Sequence, residues 1–175
     1  MTDNTFDHQD ATIAIDVLAA EASTQSIIAN LLELYLHDFS DFANMDIGED
    51  GRFGYPYLNT YWQENNRYPF LIRANTKLAG FALVRQGTHD PDDPESMNLA
   101  EFFVLRRWLR CGVGQAAAHL IFHRFPGAWK VRVIKTNVGA LTFWEKVIAS
   151  YTKDRFERSE YRKHDELWVV FHFQG

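Results

Sequence analysis

The sequence predicts an α/β (α+β) fold: one mixed, mostly antiparallel sheet of six to seven strands, flanked by helices and carrying a βαβ unit around Gly112. In several short segments apolar residues alternate with the period of two that turns one face of a strand to a core, and in others they recur every three to four residues, as on a helix. Short polar turns join neighbouring strand segments as hairpins do. One helix-like segment instead lies between two strand-like ones, which demands a parallel pair joined by a right-handed crossover.

Taken in order, residues 1–10 form a flexible polar lead-in to a single domain spanning 1–175, and 12–17 alternates as a first strand. Ser23 or Thr24 offers an N-cap, after which Ile27, Ile28, Leu31, Leu32, Leu34 and Tyr35 keep helical spacing to about His37. Glycines punctuate a loop at 47–54, and 57–63 reads as a short helix. Segments 69–74 and 78–85 form a hairpin, whereas the acidic, proline-containing stretch 87–96 cannot lie within a sheet. A strand at 97–105 leads through a basic turn, 106–111, into a helix opening at Gly112, with Val113, Ala117, Leu120 and Ile121 on one face. A strand at 129–134, a helix at 139–149 and closing strands at 156–161 and 166–173 complete the order.

Composition narrows the function. With 175 residues, 46% of them hydrophobic, and 14 Phe, 7 Tyr and 5 Trp, the chain can build a core without covalent staples. The lone Cys111 makes neither an internal disulfide nor a structural zinc site, which points to a reducing compartment. No apolar run reaches membrane length and no leader pattern opens the chain, so the expectation is a soluble, cytoplasmic protein, monomer or homodimer, without a membrane partner. Residues 1–51 hold eleven acids and no Lys or Arg, while the rest holds 18 bases against 12 acids. A net charge of −5 argues against nucleic acid. His119 and His123 lie one helical turn apart but lack the Glu of H-E-x-x-H and a third ligand, so no metal is expected.

The chemistry concentrates around Gly112-Val113-Gly114. Glycines at a helix start turn the backbone tightly and aim free N–H groups, reinforced by the helix dipole, at one point where a phosphate fits. Arg106, Arg107 and Arg110 lie just upstream, and from 99 to 146 eight bases face two acids. The competing reading is a plain strand-to-helix turn. Residues 112–117 also match G-x-G-x-x-A, but six residues separate the first glycine from its strand, the ribose-binding acid is missing, and about 60 residues follow, too few for a dinucleotide fold.

Residues 101–105 followed by 107–116 resemble the acyl-CoA-binding motif of the GCN5-related N-acetyltransferase (GNAT) family. Asn137-Val-Gly-Ala-Leu-Thr-Phe-Trp-Glu-Lys146 is similar to the family's Asn-x-x-Ala-x-x-Phe-Tyr-x-Lys block, and Lys77–Val84 to its central strand. Together the similarity spans about residues 12–173. It implies the acyl-CoA N-acyltransferase fold, acetyl-CoA as co-substrate, and transfer to a primary amine of a small molecule, peptide or protein by direct attack; the alternative is a non-catalytic acyl-CoA-binding sensor or interaction module on the same fold. Two positions depart from the pattern. Leu109 stands where the family has Gln or Arg, which leaves that pyrophosphate contact to Arg110 or Arg107, and Trp144 stands where Tyr is common, although an indole does not ionise usefully.

The resemblance implies a cofactor site of Arg110, Cys111, Gly112, Val113, Gly114, Gln115 and Asn137, with Phe103 and Val104 pairing with the acyl arm and Trp144 packing on it. Glu101, the single acid between Glu95 and Glu145, is the candidate general base, with a surface ion pair as the competing reading. For the acceptor, the acidic and aromatic N-terminal region, represented by Asp38, Tyr57 and Tyr61, suits a cationic amine, although a solvated acidic surface would look the same.

Overall fold

A computed structural model describes residues 12–87, 95–163 and 165–175. Its strands are β1 (Ile15–Ala19), β2 (Arg67–Ala74), β3 (Lys77–Gln86), β4 (Met97–Val104), β5 (Ala128–Ile134), β6 (Phe156–Lys163) and β7 (Glu166–Gln174). They form one seven-stranded sheet in the order β1-β2-β3-β4-β5-β7-β6. Neighbours are antiparallel except β4 and β5, whose connection runs through a helix. Three helices, α1 (Gln25–Phe39), α2 (Val113–Arg124) and α3 (Val138–Thr152), flank the sheet, as the patterning predicts. Segment 57–63 makes only a 3-10 turn at Asn59–Trp62, because Tyr61 is its one buried residue and no apolar stripe is available to dock a longer helix. The lead-in at 1–10 and most of the acidic loop at 87–96 fall outside the described residues.

Two cores form. On one face α2 and α3 cover the sheet, Val113, Ala117, Ile121 and Phe122 meeting Trp144, Val147 and Ile148 above Ala82, Leu99, Val131 and Phe171. The buried arc of α2 also takes in Ala118, and leaves Leu120 at its rim, exposed. On the other face α1 sets Ile28, Leu31 and Leu32 over Leu71, Phe81, Leu83 and Phe103.

The middle of the sheet is interrupted on purpose of geometry. Leu83 pairs with Glu101 but Val84 pairs with Leu99, so Ala100 is an extra residue, a β-bulge that bends β4. The parallel ladder between β4 and β5 ends just there, at Leu99 and Val131. Past that point β4 is supported by β3 alone, and a Cβ on Gly80 of β3 would collide with the Phe103 carbonyl. Gly80→Ala therefore forces the two strands apart; the expected cost is about 1–3 kcal/mol, read as a fall in Tm of roughly 2–4 °C per kcal/mol. An unchanged Tm would mean that β3 and β4 tolerate more separation than this contact implies.

Candidate active site

Where β4 and β5 part, a cavity of about 370 Å³ opens, walled by β4 and β5 residues and by Trp144, Asn137 and Ala140 of the α3 region. A second cavity, about 260 Å³, lies beside it and is bordered by Tyr61, Arg67 and Arg85. Tyr55, Tyr57, Ala100, Glu101, Arg132 and Trp168 border both. The bulge at Ala100 explains the junction: it sets Glu101 opposite Leu83, on the α1 face with Phe103, just past the last β4–β5 pair.

Glu101 is half-buried. The Tyr55 hydroxyl donates to its Oε1 at 2.9 Å. Tyr55 arrives from a loop pinned to α1, because Glu33 accepts the N–H groups of Phe53 (2.8 Å) and Gly54 (3.3 Å), and Gly54 takes the turn at φ +71°. Burial raises the Glu101 pKa above the ordinary carboxylate value; the Tyr35 and Tyr55 hydroxyls, then Arg132 and Arg85, pull it only part of the way back. Burial first, and the Glu101 charge second, hold the phenols of Tyr35 and Tyr55 well above their usual range, so both remain proton donors in hydrogen bonds. The result is a desolvated carboxylate, fixed in orientation, with a proton affinity above that of a free glutamate.

The glycine turn lies beyond the C-terminal end of β4, past Val104. Gly112 occupies the N-cap of α2 in the left-handed region, φ +83°, and no side chain caps the helix. Arg110 (φ +62°) and Cys111 are exposed beside it, the thiol donating to the Trp108 carbonyl at 3.0 Å. Val113 turns its side chain fully into the core. Gly114 sits against the Phe143 ring, where a Cβ would come within 3.1 Å, so this glycine also serves the packing of α2 on α3. Gln115 is exposed and donates to Ser150 Oγ at 3.2 Å. Arg107 stacks over Trp108, while Leu109 is 52% exposed.

Among the other expected residues, the Leu105 N–H donates to Ala79 O at 2.8 Å, which directs the main-chain groups of Phe103 to β3 as well; strand alternation turns those of Val104 and Phe102 toward the gap. The Phe103 side chain belongs to the α1 core. Asn137 caps α3, its side-chain oxygen accepting the Ala140 N–H at 2.9 Å. Trp144 is 7% exposed, edge-on to Phe102 and Phe143, with part of its surface on the larger cavity. Tyr57, 58% exposed, and Tyr61 border the smaller cavity. Asp38 stands apart from both cavities, paired with Arg106 at 2.7 Å on an exposed surface. Sequence reading placed Tyr55 among the acceptor-side aromatics with Tyr57, Tyr61 and Trp62, but missed Tyr35, Phe102, Arg67, Arg85, Arg132 and Trp168 as site residues; an aromatic or arginine on a helix or strand carries no local mark of the site that distant elements build around it. Among the described residues no cluster of three potential metal ligands occurs, and no helix is long and apolar enough to cross a membrane.

Solved structures share this architecture. The ribosomal-protein-S18-alanine N-acetyltransferase of Escherichia coli superposes with a TM-score of 0.60 at 14% identity, covering 92% of this chain and 94% of that one. An aminoglycoside acetyltransferase in complex with coenzyme A gives 0.66 at 11% identity, over 92% and 95% of the two chains. The spermidine N-acetyltransferase of Vibrio cholerae, in complex with CoA and spermine, gives 0.63 at 11%, over 91% and 95%. No curated protein matches by sequence. Identities this low establish the fold alone, but the family model for the acetyltransferase (GNAT) family matches residues 28–148, the stretch that contains most of α1, the bulged strand, the glycine turn and most of α3. The chain belongs to the GNAT acetyltransferase family.

Proposed function

We propose that the protein transfers an acetyl group from acetyl-CoA to a primary amine of a small molecule or peptide by direct attack of the amine on the thioester. The observation that carries this reading is Glu101, a desolvated carboxylate held by Tyr55 at the junction of two cavities. A module that only bound acyl-CoA would have no use for such a group there.

The residues present fit acetyl-CoA. The uncapped α2 N-terminus, with Arg110 beside it, suits the pyrophosphate. Main-chain groups of Phe102 and Val104, facing a gap instead of a strand, suit the amide-rich arm, with Trp144 as an apolar wall. Acetyl-CoA supplies the acetyl group as a thioester, whose C–S bond breaks as the amide C–N bond forms. Glu101 supplies the base: an amine with a pKa near 10 arrives as ammonium, and the carboxylate takes its proton directly or through a water. A thiol of pKa near 8.5 leaves with little protonation, so Trp144 need not act as an acid.

The test is amine-dependent release of free thiol from acetyl-CoA across a panel of primary amines. Release above the amine-free background supports the reading. A folded protein that binds CoA yet releases no thiol with any amine overturns it.

A further inference from the structure

The smaller cavity has a charge balance that an amine alone does not explain. Its one lining carboxylate, Glu101, lies among Arg67, Arg85, Arg132 and Lys163, and of these Arg67 is already paired with Glu64 at 2.7 Å. Register produces much of this cluster. Arg67 pairs with Arg85, and Arg85 with Asn98 at the start of β4. Arg67 and Arg85 share strand parity with Leu71 and Leu83 of the α1-side core, while Arg132 lies between Val131 and Val133, both committed to the opposite core. All three therefore rise from the face that carries Glu101. The crowding is felt: after burial, Arg132 is the main influence that lowers the Arg85 pKa, with Arg67 adding to it. Cations gathered in a half-enclosed space favour an anion between them.

Two neutral donors point the same way independently. Tyr61 is 3% exposed and its hydroxyl has no hydrogen-bond partner among the described residues; nor does the buried Trp168 Nε1. The Arg67 guanidinium lies over the Tyr61 ring, 5.2 Å from its centroid. It offsets part of the rise that burial first and the Glu101 charge second impose on the phenol, whose pKa reaches about 12, and since a guanidinium only donates, it leaves the hydroxyl proton without an acceptor. Buried donors without acceptors are costly, and both residues line the cationic cavity, so a small side-chain shift that brings the donors to a carboxylate or phosphate oxygen there would satisfy them. The cofactor's pyrophosphate is not that anion. The proposed pyrophosphate site is the glycine turn, which follows Val104, three residues along β4 from the cavity residue Glu101, so it begins about 10 Å beyond the cavity.

We infer that the acceptor is an amine bearing its own anionic group, a carboxylate or a phosphate, which Arg132, Tyr61 and Trp168 hold while the amine nitrogen faces Glu101. This rests on the acetyltransferase reading of the site, and it replaces the expectation of a purely cationic acceptor lying over Asp38.

Calorimetry on the CoA-bound protein tests it without turnover. In the carboxylate arm, N-acetyl amino acids of increasing side-chain size are compared with their amides; in the phosphate arm, phosphoethanolamine is compared with ethanolamine. In at least one arm the anionic member binds about ten-fold or more tightly than its neutral partner, and which arm responds identifies the anion. Arg132→Met closes that gap. Tyr61→Phe weakens the anionic ligand several-fold while its Tm stays at or above the wild-type value, because the hydroxyl proton it removes has no acceptor among the described residues. Equal binding of charged and neutral members in both arms overturns the inference, as does preferential binding of spermidine. The thiol-release assay is separate: protein that acetylates neutral amines but shows no anion preference loses this inference and keeps the proposed function, whereas anion-selective binding without thiol release for any amine overturns the proposed function and, with it, the acceptor role of the bound anion.

Discussion

Glu101→Gln lowers amine-dependent turnover by about 10²- to 10⁴-fold while leaving CoA affinity close to wild type. Glutamine preserves shape but has no basicity, and Glu101 lies on the acceptor side of the junction, away from the glycine turn. The pH profile gives the more specific result. Glu101 works only when ionised and its pKa is raised, so wild-type activity falls with decreasing pH at a higher value than an ordinary carboxylate would set, and the variant lacks this limb. Tyr55→Phe removes a donor that favours the ionised form, so it moves the limb to still higher pH. Stability follows the opposite sign. The folded state holds the Glu101 proton more tightly than the unfolded chain does, so stability is lost as pH rises through the folded pKa. Glu101→Gln has no such loss, and its Tm gains on wild type as pH rises. Wild-type turnover in the folded variant removes Glu101 from proton transfer.

Trp144→Ala is the most destabilising single change expected at the site. The indole is 7% exposed and meets Phe102 at 5.1 Å and Phe143 at 4.9 Å between ring centroids. Truncating a buried aromatic costs about 3–5 kcal/mol, which for a domain of this size lowers Tm by on the order of 10 °C. Trp144→Phe keeps most of the apolar surface, so it keeps most of the stability, the CoA affinity and the rate. If Trp144→Phe abolished turnover at intact CoA affinity, the indole N–H would have a chemical role and the packing account would be wrong.

Most of the helices and strands were legible because one face meets a core, and that leaves a periodic trace in the sequence; β6, exposed beyond Phe156, is the exception. The glycine turn was legible because left-handed backbone at Gly112 is easiest for one residue type. The bulge was not: 97–105 reads as one continuous strand, and Ala100 differs from its neighbours only in having no partner across the ladder. Nor was the charge of the acceptor cavity. Arg67, Arg85 and Arg132 lie on three separate strands, and only the sheet order brings them together. Local composition pointed instead to the acidic N-terminal third, where Asp38 turns out to be engaged with Arg106. Tyr55 was legible as an acceptor-side aromatic, but its hydrogen bond to Glu101 was not, since that depends on Glu33 fastening a glycine-turned loop against α1.

The parting of β4 from β5 also has a kinetic signature. Within one strand, the amides of Phe103 and Leu105 are tied to β3, whereas those of Phe102 and Val104 look into the gap. Their hydrogens exchange with solvent on different clocks: two slow, two fast, alternating along four consecutive residues. A cofactor arm seated in the gap slows the fast pair and leaves the slow pair nearly unchanged, so the occupancy of the cleft can be followed from the deuterium uptake of Phe102 and Val104 alone.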